Sequence, residues 1–181
     1  MRPFFTVHAG EYLVGSEIER QFKQVNVWVP SRDTGIDLLM SNRKNRRTVS
    51  VQVKFSKDFL PHMKPELQKS LRACGWWTIN RDKLQTSPAD YWVFVLLGFE
   101  RHTTDFVIIR PSEFWKRHQA SLGAGKIIQS YLWVTKDDRC WEARGLPVTD
   151  QQRIADGRFR DSSRDLTRWL NAWAVFKKLS T

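Results

Sequence analysis

Two short apolar runs broken by charge constrain this chain more than any other stretch: Gly35-Ile36-Asp37-Leu38-Leu39, a basic turn, then Val51-Gln52-Val53-Lys54. Residues 41–47 are Ser, Asn, Arg and Lys only, a composition that suits the tip of a β-hairpin. Inside a strand, charge interrupts an apolar run only on a solvent face or where a function needs it. With the turn centred near Asn45, antiparallel pairing sets Asp37 opposite Gln52. Gln52 and Lys54 share a face because strand side chains alternate with period two. A carboxylate, an amide oxygen and an ammonium then gather on one patch, while Ile36, Leu38, Val51 and Val53 point the other way.

The rest of the chain supplies a setting for that hairpin. Residues 10–23 carry Glu11, Gly15, Ile18 and Phe22 on one helical stripe, so Glu11 begins the core-facing side. Residues 25–29 read as a first strand, ended by Pro30 and a polar turn through Asp33. A short helix is expected over 61–73, with Leu67 and Leu71 on one face, then a strand over 76–79. Residues 91–97 are continuously apolar, the pattern of a strand covered on both sides. Residues 105–109 give another strand before Pro111, and Ser112 is the expected cap of a short helix over 112–115. Residues 127–134 read as a strand, and 135–163 as loop with a short helix inside. A last helix is expected over 165–178, with Leu166, Trp169, Leu170 and Trp173 as its apolar stripe. The order predicts an α/β fold, a mixed central sheet flanked by helices with an additional C-terminal helix. We expect one domain over 1–181, its core about 8–134 and a C-terminal helical extension about 150–181.

Charge indicates the partner. Thirty Lys and Arg against 19 Asp and Glu leave a formal +11, which attracts polyanions, nucleic acid foremost. A membrane partner is not expected: no terminal segment is a basic amphipathic helix and no stretch approaches a membrane span. The first residues lack the apolar core of a secretory signal, so the cytoplasm is the expected compartment. Cys74 and Cys140 form no C-x-x-C and are expected to be buried free thiols. His8, His62, His102 and His118 stand apart from one another in sequence. Most of the nine tryptophans are expected in packing, with some offering flat faces to bases.

A hard cation such as Mg²⁺ takes oxygen ligands, one or two protein carboxylates and several waters. Asp37 offers an anionic oxygen, Gln52 a neutral one, and the Val53 main-chain carbonyl a third. Lys54 is no ligand while protonated, but it can hold a water or neutralise charge on a phosphate. Glu11 is a candidate second carboxylate; the rival role is an acid favoured by the dipole in a first helical turn. For Asp37 and Lys54 the rival is a cross-strand ion pair worth ~0.2–1 kcal/mol. Asp33 ranks second to Asp37, since an aspartate before Thr-Gly commonly shapes a turn. Arg43, Lys44, Arg46 and Arg47 at the tip suit phosphate contacts, with edge protection as the alternative. Arg153, Arg158, Arg160, Arg164 and Arg168 alternate with Asp150, Asp156, Asp161 and Asp165, as surface ion pairs would.

A helix bearing Glu11, then G-I-D at 35–37, then Q-V-K at 52–54, resembles the PD-(D/E)xK nuclease superfamily, the restriction-endonuclease-like fold. The likeness is to members, such as Mrr-like restriction enzymes, that carry Q-x-K in place of E-x-K. It covers residues 8–56 and, loosely, the later strand and helix order. The resemblance implies a Mg²⁺-dependent deoxyribonuclease, an endonuclease, with Mn²⁺ as substitute ion and DNA as partner. Asp37 would be its metal-binding aspartate, Gln52 the ligand in the acidic slot, Lys54 the catalytic lysine and Glu11 the first-helix glutamate. A homodimer stays open, because many enzymes that cut both strands pair up. Gln52 removes one negative charge, so a catalytically degenerate nucleic-acid-binding module is the alternative. A further one is an interaction subunit of a defence or repair complex, using the tryptophan-rich C-terminal helix as its contact surface.

Overall fold

The hairpin forms with strands β2 (Leu38–Asn42) and β3 (Thr48–Ser56), paired Leu38↔Val51 through Ser41↔Thr48, which is the expected register. The structure is a computed structural model that describes residues 9–32, 34–60, 63–98 and 102–179. Residues 1–8, with His8, and also Asp33 and His62, lie outside the described residues. Strand β1 (Val25–Trp28) adds antiparallel to β2. Strand β5 (Tyr91–Gly98) adds parallel to β3, and β6 (Thr103–Ile109) antiparallel to β5. The result is a mixed five-stranded sheet in the order β1-β2-β3-β5-β6.

Alternation along these strands sends side chains into two separate cores. On one face Leu38, Met40, Val51, Val93 and Ile108 meet Val14 and Ile18 of helix α1 (Ala9–Gln21). On the other, Trp92, Phe94, Leu96, Val107 and Ile109 meet a second sheet. That sheet has the order β4-β7-β8, built from β4 (Leu71–Asn80), β7 (Ile127–Thr135) and β8 (Cys140–Glu142). Helices α3 (Arg81–Gln85) and α4 (Pro111–Leu122) pack Leu84 and Phe114 into the same core. Beyond the second sheet, α2 (Pro65–Ser70) and α5 (Val148–Ala155) bury Leu67 and Ile154 against Cys74, Trp133 and Trp141. The fold is mixed α/β, with a mixed sheet flanked by helices and a second sheet stacked on it.

Four expectations need correction. Among the described residues of 61–73, α-helix is confined to Pro65–Ser70, because Leu71 and Ala73 are buried in β4. Pro111, not a Ser112 cap, begins α4; proline suits the first helical turn, and the helix runs on to Leu122 because Phe114 and His118 bury one turn apart. Within 135–163, three residues form β8, too short to show a period.

The largest correction is the C-terminal segment. Instead of one helix over 165–178 there are two 3-10 turns, Thr167–Trp169 and Trp173–Leu179, parted at Asn171 with φ 49°. Leu166 and Trp169 enter the core between the sheets, whereas Trp173, Phe176 and Leu179 enter the core under α1. The segment passes around the edge of β6. Asn171 donates its N–H to the Phe106 carbonyl at 2.6 Å and accepts the Phe106 N–H on Oδ1 at 2.9 Å. An apolar stripe at helical spacing is thus split between two cores because an open sheet edge needed covering. The tryptophans proposed as a contact surface lie in the protein's own interior. Among the described residues, no helix is long and apolar enough to cross a membrane.

Candidate active site

Strand β2 stops at Leu38, while β3 runs five residues beyond Val51. The Asp37 N–H donates to the Val51 carbonyl at 2.8 Å, although Val51 is already the partner of Leu38. Two residues then face one, and regular pairing ends there. Hydrogen-bonded pairs alternate along an antiparallel ladder. The Asn42–Arg47 bond sets that alternation, so the pairs that follow are Met40 with Val49, Leu38 with Val51 and, by extrapolation, Ile36 with Val53. Instead, the Asp37 carboxylate takes the Val53 N–H on Oδ2 at 2.8 Å. The end of regular pairing therefore takes Asp37 off its expected place opposite Gln52 and brings its carboxylate to the Val53 N–H, between Gln52 and Lys54. Asp37 is 6% exposed. A carboxylate has about four lone-pair sites and can serve several partners at once.

Gln52 and Lys54 share a face, as alternation requires, and both are half-buried. Gln52 is paired in register with Trp92 on β5, and Lys54 Nζ lies 4.6 Å from the Trp92 ring centroid. A cation over an indole face is worth ~0.5–2 kcal/mol, which steadies the ammonium. The same face of β3 carries Ser50 and Ser56. Ser50 donates its N–H and hydroxyl to the Asp90 carboxylate at 2.9 and 3.0 Å. Ser56 Oγ accepts the Trp76 N–H at 3.0 Å, tying β3 to β4. This polar strip faces the second sheet beside the apolar β5, and it sets the orientation of Gln52 and Lys54.

Glu11 sits in the first turn of α1 and is 3% exposed, so it lies on the core-facing side as expected. The start of α1 presses on β3: a Cβ at Gly10 would stand 2.8 Å from Phe55 Cβ, a contact only glycine allows. Phe55 follows Lys54 and points to the α1 side. The start of α1 thus packs on the Phe55 face of β3, Lys54 lies on the other face, and Asp37 stands at the edge where β2 has ended. Among the described residues, no three or more His, Cys, Asp and Glu side chains form a metal-ligating group. A site of one or two carboxylates completed by carbonyls and waters falls below that count and suits Mg²⁺.

The basic tip lies at the opposite end of the hairpin, ~25–30 Å from Lys54 at about 3.3 Å per residue. Arg43, Lys44, Arg46 and Arg47 are exposed. Asn42 Oδ1 shapes the turn by accepting the Arg46 and Arg47 N–H groups, and Arg47 reaches the Lys178 carbonyl at 3.4 Å. Of the arginines of the C-terminal third, Arg153 pairs with Asp150 at 2.9 Å and Arg158 with Asp156 at 2.5 Å, as expected, whereas Arg164 pairs with Asp161 at 3.6 Å from a buried position and Arg160 bonds the Gly157 and Phe159 carbonyls. Arg139, rather than Arg168, takes Asp165 at 3.0 Å.

Other reactive groups are disarmed by burial. Both cysteines are free and buried. Desolvation pushes the Cys74 thiol up to about 12 and Cys140 well above its ordinary value, so neither is a ready nucleophile. Burial likewise holds His118 below the ordinary histidine value. Sequence reasoning missed Trp92 as the support beneath Lys54 and Asp90 as the clamp on Ser50; neither has a local signal, because both come from strand pairing 40 residues away. No family model, curated protein or solved structure matches the chain.

Proposed function

We propose that this protein is a Mg²⁺-dependent nuclease acting on DNA, with a restriction-endonuclease-like core. The observation that carries the reading is the Asp37 carboxylate bonded to the Val53 N–H, between Gln52 and Lys54, at a buried strand end. The order of α1, an antiparallel three-strand meander and a strand added parallel to β3 is in keeping with such a core. Asp37, Gln52 and the Val53 carbonyl would hold the ion, with Glu11 as the second carboxylate. Bound Mg²⁺ supplies Lewis acidity to a phosphoryl oxygen and lowers the pKa of a water. Lys54, steadied by Trp92, orients that water and offsets the negative charge that builds on the phosphate. The excess of positive charge brings the polyanion to the surface.

The test is incubation of supercoiled, linear and branched DNA with Mg²⁺ or Mn²⁺. Cleavage is expected, removed by EDTA and by Asp37→Ala or Lys54→Ala in proteins that still fold. Intact DNA of every form, and intact RNA, would refute the assignment.

A second reading is favoured by Gln52, which brings no charge to the ion: a nucleic-acid-binding module on the same scaffold. It predicts salt-dependent DNA binding with no metal-dependent turnover.

A further inference from the structure

Where β3 ends, the chain crosses the edge of β4 and meets a group of rings on the far side of the second sheet. Phe59, Trp76 and Tyr131 are each half-buried there, unlike Trp77, Trp133 and Trp141 of the same sheet, which are buried. The Trp76 and Tyr131 centroids are 5.1 Å apart, and Phe59 lies 6.4 Å from each. The Tyr131 hydroxyl is directed at Cys74 Sγ, 3.9 Å away, so the hydroxyl is turned toward a buried thiol. Trp76 and Tyr131 line an open cavity of about 400 Å³, with Met63, Lys64, Arg144 and Leu146 also in its wall. That volume is within the range of small-ligand sites.

Cations surround the rings. Arg144 lies 5.1 Å from the Trp76 centroid, Lys57 Nζ lies 5.0 Å from Phe59, and Lys64 is exposed at the rim. Asp58 is buried beneath, its Oδ1 accepting the Leu60 N–H at 2.8 Å. Rings already faced by cations disfavour a cationic ligand and favour one that is flat and anionic. A nucleobase with its phosphate has both properties: every base offers a π-face to an aromatic platform, and its phosphate draws the cations. The site also adjoins the proposed catalytic strand. Trp76 is hydrogen-bonded through its N–H to Ser56, two residues or ~7 Å along β3 from Lys54.

We propose that this groove takes an unpaired nucleobase of a single-stranded segment, stacked on Trp76, with the neighbouring phosphate held by Lys64 and Arg144 of its wall. The inference deepens the nuclease reading and rests on it for its place beside the reacting strand. It specifies substrates with a single-stranded flank or a splayed base, rather than uninterrupted duplex.

The experiment measures fluorescence anisotropy of the full chain in EDTA with a labelled single-stranded DNA, the matching duplex and a mononucleotide. The single strand is expected to bind tighter than the duplex. Trp76→Ala should weaken single-strand binding about tenfold with duplex binding unchanged, and Trp76→Phe should restore most of it. Lys64→Glu changes only an exposed rim residue, so it tests the groove even should Trp76→Ala fail to fold; several-fold weaker single-strand binding is expected. Equal binding of strand and duplex, a mononucleotide bound as tightly as the strand, or unchanged affinity in Trp76→Phe, Trp76→Ala and Lys64→Glu alike would overturn the proposal. The two readings fail separately. Duplex cleavage that needs Asp37 but ignores these variants sinks the groove alone, and Trp76-dependent strand binding without cleavage under Mg²⁺ sinks the nuclease alone.

Discussion

Replacing Asp37 separates its two roles, support of a strand end and ligation of an ion. In the folded protein its carboxylate satisfies the Val53 N–H at 2.8 Å in a nearly dry position. Asp37→Ala leaves that N–H without its acceptor, a loss of ~1–3 kcal/mol. At about 2–4 °C per kcal/mol for a chain of this length, a central loss of ~2 kcal/mol lowers the melting temperature by ~4–8 °C. Asp37→Asn retains a carbonyl oxygen for the same N–H, so less than ~1 kcal/mol should be lost. Ion uptake behaves differently, because both variants lack the anionic oxygen. Wild type in Mn²⁺ at a hundred times its dissociation constant should gain ~2.7 kcal/mol. Its melting temperature should then rise by ~5–10 °C. Asp37→Asn should show no such rise and no heat in a Mn²⁺ titration. An Asn variant that takes up Mn²⁺ like wild type would refute the ligand role, and an Ala variant as stable as wild type would refute the structural one.

Gln52→Glu restores a negative charge beside Asp37 and should tighten Mn²⁺ about tenfold, on the order of 1.4 kcal/mol by calorimetry; unchanged or weaker uptake would place Gln52 outside the ion's reach. Asn171→Ala removes the side-chain bonds to the Phe106 N–H and to Asp105 Oδ1, at 2.9 and 3.0 Å, from a residue at φ 49°. It should cost ~2–4 kcal/mol by urea unfolding, and a loss under ~0.5 kcal/mol would mean that the C-terminal turns do not depend on this strand-edge bond. Glu142 is buried, bonded to Ser130 Oγ and to the Tyr131 and Arg144 N–H groups, and burial raises its pKa above the ordinary 4.5. A raised folded value means that the folded state holds the proton longer. Its stabilising effect is complete below pH 4.5 and is lost as pH rises through the folded value. The stability of wild type relative to Glu142→Gln should therefore fall from pH 4 to 7, and a difference that is flat or rising would contradict the assignment.

The hairpin was legible because its information is local. A basic, Asn-containing turn and two alternating runs determine register and facing without help from the rest of the chain, and pairing from Leu38 to Ser41 follows that arithmetic. The irregular pairing at Asp37 was not legible. It arises where β2 ends and a side chain replaces a main-chain acceptor, and residue types alone do not mark that place. Burial of Glu11 followed from helical spacing with Ile18 and Phe22, whereas the seating of α1 on β3 depends on Gly10 meeting Phe55.

The positive field, the strand-forming runs and the polar residues that interrupt them could be read from residue order, because charge and short-range periodicity belong to the residues wherever they fold. Long-range packing is what parts Leu166 and Trp173 into separate cores, sets Trp92 under Lys54, and gathers Phe59, Trp76 and Tyr131. Those outcomes depend on covering an open edge and on stacking two sheets. Both are contacts between segments far apart along the chain, and their energy enters only once the whole chain has closed around them.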